Sequence, residues 1–184
     1  MTGSDPFEAF VRKYQDMVFG TAARLLGNPM EAEDVAQVVF LRAFQRFPEL
    51  AASPTAGGWL KTVTRNECLN HLTRYRARWR LFSEMTSARD ESDSESDQSF
   101  EATLAAPDSS ALDAEQQDQR VRLEAALQRL PDHQRVPLVL FHMEDMSYQS
   151  IADTLGVSLG KVKTDIHRGR ETLRRQLKDD DASR

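Results

Sequence analysis

The stretch that decides the fold is residues 147–163, which read SYQSIADTLGVSLGKVK. Ser147 and Ser158 each precede a run with helical spacing, as N-cap residues do, and Gly156 between the two runs supplies a left-handed turn. The pattern is that of a helix-turn-helix. The predicted helices are Tyr148 to Leu155 and Leu159 to about Leu177, and the residues expected to hold them together are Ile151, Ala152, Leu155, Val157, Val162 and Ile166.

The second of these helices is strongly basic, with a net charge of +5 over residues 160–178. In a helix-turn-helix the N-terminal part of this helix enters the major groove of DNA. The side chains that we then expect to face bases and phosphates are Lys163, Thr164, His167 and Arg168. A generic antiparallel helix pair is the alternative, but caps, glycine, periodicity and charge together favour a DNA-binding unit.

Two further helices are predicted upstream of this unit. Leu123, Leu127 and Leu130 indicate a helix from Gln119 that ends before Pro131, and Val136 to Met143 indicates another. If Asp132 caps the latter helix, Pro137 lies just beyond the free N–H groups of its first turn. We therefore expect a late start or a slight bend there.

Charge divides the chain into three parts. Residues 83–119 carry 1 Lys/Arg against 11 Asp/Glu, whereas residues 1–82 and 120–184 have net charges of +3 and +2. The acidic part buries too little apolar area to offset its ordering entropy. We interpret it as a disordered linker between two domains, with a bland solubilising spacer as the alternative.

The N-terminal part predicts three helices. Asp5 and Pro6 form an N-cap with a proline at the first position, Glu8 completes a capping box, and Gly27 with Pro29 ends the helix. A second helix is expected over 30–47, a loop over 49–58, and a third helix over 58–80. The expected core residues are Phe7, Phe10, Val11, Tyr14, Val18, Ala22 and Leu25, then Val35, Val38, Val39, Phe44 and Phe47, then Leu60, Val63, Cys68, Leu72 and Tyr75.

The outer side of the third helix carries amides among cations. Thr62, Asn66, Asn70 and Thr73 form an uncharged polar stripe, and residues 57–82 have a net charge of +5. Arginine and lysine neutralise phosphates, whereas asparagine can pair with a base edge. The stripe therefore suits nucleic acid, although a solvated helix face would look similar.

The predicted fold class is all-α, with two small helical domains joined by an acidic disordered linker. The expected boundaries are 1–82 for an N-terminal helical bundle, 83–119 for the linker, 120–178 for a helix-turn-helix domain and 179–184 for a tail too short to fold. Cys68 is the single cysteine and excludes an internal disulfide; we expect it to be a buried small apolar residue, with a redox switch as the alternative.

Several function classes are excluded by what the sequence lacks. The four histidines show no metal-ligand spacing, so we expect neither a metal site, a cofactor nor an enzyme. No stretch approaches the roughly 18 apolar residues of a membrane helix, and the first residues are not typical of a secretory signal. We expect a cytoplasmic protein with no membrane insertion.

Four motifs occur in order along the chain. They are DVAQVVFLRAF at 34–44, WLKTVTRN at 59–66, Leu130-Pro131 with Arg135, and SYQSIA at 147–152 with GVSLGKVK at 156–163. Together they resemble the signatures of extracytoplasmic-function sigma factors over both predicted domains. Asp165, Lys161 and Ser150 depart from the usual residues of that family at positions that bear on the DNA sequence recognised more than on the role.

The resemblance implies a transcription initiation factor that binds core RNA polymerase and promoter DNA, with an anti-sigma factor as an expected further partner. The implied contacts with core polymerase are Asp34, Gln37, Val38, Leu41 and Arg42. The implied contacts with the minus 10 element are Lys61, Thr62, Arg65, Asn66, Asn70, Arg74 and Arg76, with Asn66 capturing a flipped-out base. The implied contacts with the minus 35 element are Tyr148, Lys161, Lys163, Thr164, His167, Arg168 and Arg170.

The competing interpretation is a two-domain helix-turn-helix regulator that binds DNA without polymerase. A coil of 37 residues spans about 33 Å, whereas promoter elements some 25 base pairs apart lie on the order of 85 Å from each other. Unaided binding to both elements would require an improbable stretch of the linker, so the length favours a large scaffold that holds the two domains apart.

Overall fold

The computed structural model of the protein describes residues 5–72 and 112–182, and the described residues are helical with no strand. The helices are α1 (Pro6–Leu26), α2 (Pro29–Gln45), α3 (Phe47–Leu50), α4 (Ala56–His71), α5 (Leu112–Arg129), α6 (Asp132–His142), α7 (Tyr148–Leu155) and α8 (Leu159–Ala182). We call α1–α4 the N-terminal group and α5–α8 the C-terminal group. The predicted all-α class is confirmed.

The N-terminal group is built on α1, which packs against both α2 and α4. The Asp5 side chain accepts a hydrogen bond from the Phe7 backbone N–H at 3.0 Å, and Gly27 ends the helix in the left-handed region with φ of 66°. Asn28 then caps α2 by accepting from the Met30 N–H at 3.0 Å. The predicted starts and stops are therefore confirmed for α1, because capping is decided by adjacent residues.

The structure differs from the prediction at two points in the region of the second and third predicted helices. Val38 and Phe44, expected in the core, are 40% and 58% exposed, and the buried positions of α2 are Ala32, Val35, Val39 and Ala43. The short helix α3 overlaps the end of the predicted second helix and the start of the expected loop, and the loop ends earlier than expected, since α4 begins at Ala56. Because the buried positions recur every three or four residues, Val38 and Phe44 lie on the other side of the helix and face outward.

The C-terminal group is held together mainly by contacts of α8 with α5, α6 and α7. α5 begins at Leu112, inside the predicted linker, and α8 continues to Ala182, inside the predicted tail. An ion pair of 2.9 Å between Arg129, at the C-terminal end of α5, and Asp180 joins α5 to the last turn of α8. Packing against α5 thus favours the extension of α8 beyond what local composition predicts.

The structure also differs from the prediction at the start of the helix that contains Pro137. The N-cap of α6 is Pro131, with no side-chain cap, and the helix runs from Asp132 through Pro137 without a late start. Asp132 does not cap the helix, and its carboxylate accepts instead from Arg135 at 2.6 Å.

Four residues singled out in the sequence and most of the acidic segment lie outside the described residues; the four are Thr73, Arg74, Tyr75 and Arg76. Within the described ranges, no helix has the length and apolarity needed to cross a membrane.

Candidate nucleic-acid interfaces

The first candidate interface is the outer face of α4. Thr62, Asn66 and Asn70 are all exposed at four-residue spacing, while Leu60 and Cys68 on the opposite side are fully buried. The helix thus presents two uncharged amides to solvent and anchors them with an apolar side.

Thr64 is a buried residue of α4 that periodicity did not single out. Its hydroxyl donates to the Leu60 carbonyl at 2.7 Å, which satisfies the polar atom within its own helix. A threonine can therefore occupy a core position, and no pattern of apolar residues reveals this in the sequence.

Two cations flank the polar stripe of α4. Lys61 and Arg65 are half-buried, and the Lys61 ammonium donates to the Met143 carbonyl at 2.9 Å. It also lies 3.7 Å from a carboxylate oxygen of Glu144. The structure therefore brings five predicted minus 10 residues, Lys61, Thr62, Arg65, Asn66 and Asn70, onto one helix, and gives Lys61 a partner within the chain.

The second candidate interface is the predicted helix-turn-helix, which α7 and α8 form. The Ser147 hydroxyl accepts from the Ser150 N–H at 3.1 Å, and the Ser158 hydroxyl accepts from the Lys161 N–H at 3.2 Å. Gly156 has φ of 68° and ends α7 as expected. The residues buried between the helices are Ile151, Ala152, Leu155, Val162 and Ile166.

The N-terminal half of α8 presents an exposed polar surface. Lys163, Thr164 and His167 are exposed and Arg168 is half-buried, so one side of the helix offers cations, a hydroxyl and an imidazole to solvent. The Thr164 hydroxyl also donates to the Gly160 carbonyl at 2.9 Å. This arrangement fits the face that enters a major groove.

Lys161, predicted to face DNA, is placed differently. Its ammonium lies 2.7 Å from a carboxylate oxygen of Asp165, and the two side chains are only 9% and 4% exposed. Burial raises the pKa of the Asp165 carboxyl, and the hydrogen bond and charge of Lys161 oppose that rise. The two departures from the family pattern are therefore partners of each other, and they bury their charges beneath the exposed face.

Tyr148 and Arg170, also predicted DNA contacts, belong to an aromatic stack. The rings of Tyr148 and Phe141 are nearly parallel, with centroids 4.5 Å apart, and the Arg170 guanidinium lies 5.7 Å from the Phe141 centroid. The Arg170 Nε–H donates to His142 Nε2 at 3.1 Å. Burial, followed by the charge of Arg170, lowers the pKa of His142, which favours the neutral imidazole that this hydrogen bond requires.

A third surface is apolar and lies along α1 and α2. The predicted polymerase contacts Asp34, Gln37, Val38, Leu41 and Arg42 are all exposed on α2. Leu41 is 64% and Phe44 58% exposed beside Phe19, and this apolar content distinguishes the surface from an ordinary solvated helix. Phe44 was expected in the core because its spacing along α2 equally suits a buried position, and no pattern in the sequence singled out Phe19.

Among the described residues, no group of three or more histidine, cysteine, aspartate or glutamate side chains could hold a metal ion.

Family models match both helical groups. Residues 10–78 match sigma-70 region 2, and residues 120–173 match sigma-70, region 4.

The chain is similar over most of its length to several proteins that are named as sigma factors of RNA polymerase. The chain is 30% identical to the ECF RNA polymerase sigma factor SigW of Bacillus subtilis, covering 95% of this chain and 90% of that protein. It is 35% identical to the ECF RNA polymerase sigma factor SigE of Mycolicibacterium smegmatis, covering 93% of this chain and 61% of that protein. It is 32% identical to the RNA polymerase sigma-E factor of Streptomyces coelicolor, with coverages of 93% and 85%.

A solved structure also aligns along most of the chain. It is the sigma factor RpoE in complex with the anti-sigma factor NepR from Bartonella quintana, with a TM-score of 0.46 and 22% identity, covering 94% of this chain and 96% of that one.

Proposed function

Because the chain belongs to the extracytoplasmic-function sigma factors of RNA polymerase, it directs core polymerase to promoters without being an enzyme, and we propose that α4 engages the minus 10 element while α8 reads the minus 35 element. One observation carries this assignment. The same chain exposes an amide stripe beside cations on α4 and a polar, basic recognition face on α8. We place the two domains at 1–82 and 120–178, in keeping with the ranges of the family matches.

At the minus 10 element, Asn66 captures a flipped-out base. Its amide offers a donor and an acceptor together, and it stands exposed in the middle of the stripe between Thr62 and Asn70. Lys61 and Arg65 hold the strand by its phosphates, and Arg74 and Arg76 continue the same role along the chain.

At the minus 35 element, Lys163, Thr164, His167 and Arg168 contact the DNA. Lys161, Tyr148 and Arg170 act behind them as positioning residues, because each is engaged in a pair or stack that fixes α8 against α6 and α7. This division explains how a buried Lys161 contributes to the recognition helix.

Core polymerase docks on the exposed surface of α2 through Asp34, Gln37, Val38, Leu41 and Arg42. The exposed apolar side chains beside them favour a protein partner over solvent. An anti-sigma factor covers the same surface when the protein is held inactive, and the protein acts in the cytoplasm, where its polymerase works.

Run-off transcription with core polymerase on a genomic fragment library tests this function. Wild-type protein is expected to direct discrete transcripts, and Asn66→Ala to reduce output by about tenfold, as expected for the loss of one bidentate base contact. Gln128→Ala is the matched control, since Gln128 is an exposed amide on α5 outside all three surfaces. Equal output from Asn66→Ala and Gln128→Ala would contradict base capture by Asn66.

A gel shift separates this function from that of a regulator that acts alone. We expect a stable promoter complex only when core polymerase is present, because a linker of 37 residues that spans about 33 Å as a coil does not by itself hold the two groups on elements about 85 Å apart. Tight and selective binding by the free chain would contradict the proposed function.

A further inference from the structure

The Lys161–Asp165 pair lies at the edge of the exposed face of α8 that we assign to the minus 35 element. Lys161, Thr164 and Arg168 are spaced by three and four residues, so they occupy neighbouring positions along one side of the helix. Thr164 is exposed and Arg168 is half-buried, yet the side chain of Lys161 is only 9% exposed. The long stem of a lysine at this edge is able to reach solvent, but the structure turns it inward.

The Asp165 carboxylate holds the Lys161 ammonium in this inward position. The two groups are 2.7 Å apart, and the Asp165 side chain is only 4% exposed. A buried carboxylate without a cation is costly, because the protein interior does not replace its lost hydration. The same contact therefore neutralises Asp165 and withdraws Lys161 from solvent.

A histidine on α6 shows on which side of α8 the Lys161 ammonium lies. His133 is in the first turn of α6, and burial, followed by the charges of Lys161 and Arg168, lowers its pKa. An effect of one charge on another requires that they lie close together, so the Lys161 ammonium lies on the side of α8 that faces α6. The two helices approach closely there, since a Cβ added at Gly169 would stand 3.2 Å from Leu138 Cδ1.

A released Lys161 would add one mobile cation to the exposed face of α8. Lysine binds phosphates as a point charge, and phosphate contacts raise the affinity for DNA without reading its sequence. Each additional phosphate that is neutralised steepens the fall of log affinity with log salt concentration by about 0.9. Pairing of Lys161 within the chain thus limits the part of DNA binding that is independent of sequence.

We propose that Asp165 is an affinity-limiting residue of the minus 35 contact, which keeps the Lys161 ammonium away from DNA phosphates and so weakens the binding of α8 to any duplex, whatever its sequence. The inference rests on the proposed role of α8 at the minus 35 element. Polymerase that carries this chain is then held less tightly on DNA outside promoters. The alternative is a purely structural pair, which would stabilise the crossing of α6 and α8 without affecting phosphate contacts.

Amine labelling of the free chain tests whether Asp165 withholds Lys161. An acylating reagent and mass spectrometry measure the rate at each lysine, with the exposed Lys163 as the internal reference. Lys161 is expected to react about tenfold more slowly than Lys163 in the wild type and at a similar rate in Asp165→Asn, because an amide keeps the shape of the carboxylate but does not neutralise the ammonium. Equal rates for the two lysines in the wild type, or a slow Lys161 in Asp165→Asn, would overturn the proposal.

The salt dependence of DNA binding tests the effect on phosphate contacts. The probes are a duplex with the minus 35 element of a promoter found by run-off transcription and the same duplex with that element scrambled, each titrated with holoenzyme. Asp165→Asn is expected to steepen the salt slope by about 0.9 and to bind both duplexes about three- to tenfold more tightly at about 0.1 M salt. The double variant Lys161→Gln with Asp165→Asn should return both quantities to their wild-type values, since it has no lysine to release.

Asp153→Asn is the matched control for net charge. Asp153 is exposed on α7 of the same helix-turn-helix and accepts from Gln149 at 2.9 Å, so its substitution removes one negative charge without releasing a buried lysine. The proposal is wrong if Asp153→Asn steepens the salt slope as much as Asp165→Asn does, or if the steeper slope persists in the double variant. It is equally wrong if Asp165→Asn releases Lys161 and leaves the slope unchanged.

Failure of the proposed function has a different signature. A wild-type holoenzyme that binds the intact and the scrambled duplex equally would reject the role of α8 at the minus 35 element. The labelling rates of Lys161 would still show whether Asp165 holds the lysine, because that measurement uses the free chain and no DNA.

Discussion

At the scale of single residues, three buried charged side chains each have a partner within the chain. Arg135, Asp165 and Glu144 are all nearly inaccessible, and each has a partner far away in sequence or one turn along its helix. The sequence predicted the caps Asp5 and Ser147 because a cap depends on neighbours within three residues. It did not predict the buried pairs, because charge patterns do not reveal which surface covers them.

Arg135→Met is expected to lower the free energy of unfolding by roughly 2–3 kcal/mol, since it removes charge-assisted hydrogen bonds to Leu26, Leu130 and Asp132. Urea titration followed by circular dichroism measures the change. Arg174→Met is the control and should change stability by less than about 0.5 kcal/mol, because its pair with Glu171 is half exposed. Equal effects of the two substitutions would contradict the assigned role of Arg135.

Cys68 is expected to resist thiol reagents in the native protein. The residue is fully buried, and burial, followed by the charges of Glu144 and Glu67, raises the pKa of its thiol to about 12. Near pH 8 almost no thiolate is present to react. A colorimetric disulfide reagent should label Cys68 slowly in buffer and rapidly in denaturant. Rapid labelling of the native protein would instead support a redox role.

At the scale of elements, the helix-turn-helix could be predicted almost completely, whereas the ends of α5 and α8 could not. The turn between α7 and α8 is encoded by Ser147, Gly156 and Ser158, which act through local backbone geometry. The extension of α8 to Ala182 is supported by packing against α5, where Arg129 pairs with Asp180. The start of α5 at Leu112 lies within acidic sequence and has no local signal. The composition of residues 83–119 and 179–184 predicted a linker and a tail, because composition carries no information about contacts between helices that are distant in sequence.

Gly156→Ala is expected to lower the free energy of unfolding by about 1 kcal/mol, because a residue with Cβ is strained at its φ of 68°. Gly160→Ala is the matched control within the same motif, since an added Cβ meets nothing within 4 Å. It should be neutral or slightly stabilising, as alanine favours a helix over glycine. Thermal unfolding compares the two, and equal losses would contradict the strain at Gly156.

The contact between His142 and Arg170 should make stability depend on pH. Burial and Arg170 lower the pKa of His142 from 6.5 in the folded protein, so the unfolded chain takes up the proton first as the pH falls. The free energy of unfolding should therefore decrease as pH falls below about 6.5. His142→Gln keeps an acceptor for Arg170 but does not titrate, so its decrease over this range should be smaller. Parallel curves for the two proteins would contradict this linkage.

At the scale of the whole molecule, the sequence predicted two helical groups but not their contact. The acidic segment separates them in sequence, and the residues that join them, such as Arg24 and Glu124, follow no period. When two partly exposed charged residues are distant in the chain, the sequence around each of them does not show that they form a pair. Thr62, Asn66 and Asn70 on α4 and Lys163, Thr164 and His167 on α8 are exposed, and their contact with DNA stays a prediction. The partner of Lys61 could be found only from the three-dimensional structure.

A single cooperative thermal transition is expected for the wild-type chain, because one connected cluster of buried residues includes both groups. Gly27→Ala should separate the transition into two, since the new Cβ displaces the Arg135 guanidinium from the end of α1. Differential scanning calorimetry distinguishes the two profiles. Two transitions in the wild type would show that the groups unfold independently.

The exposed apolar side chains of α1 and α2 have a consequence for the concentration at which the protein can be kept. Among them are Phe19, Leu41 and Phe44. When the protein is present in excess over core polymerase, this apolar surface stays exposed to solvent. The excess protein is then prone to aggregate or to bind other proteins non-specifically. Cells therefore benefit from synthesising little of the protein, or from keeping its apolar surface covered by a partner protein until transcription requires it.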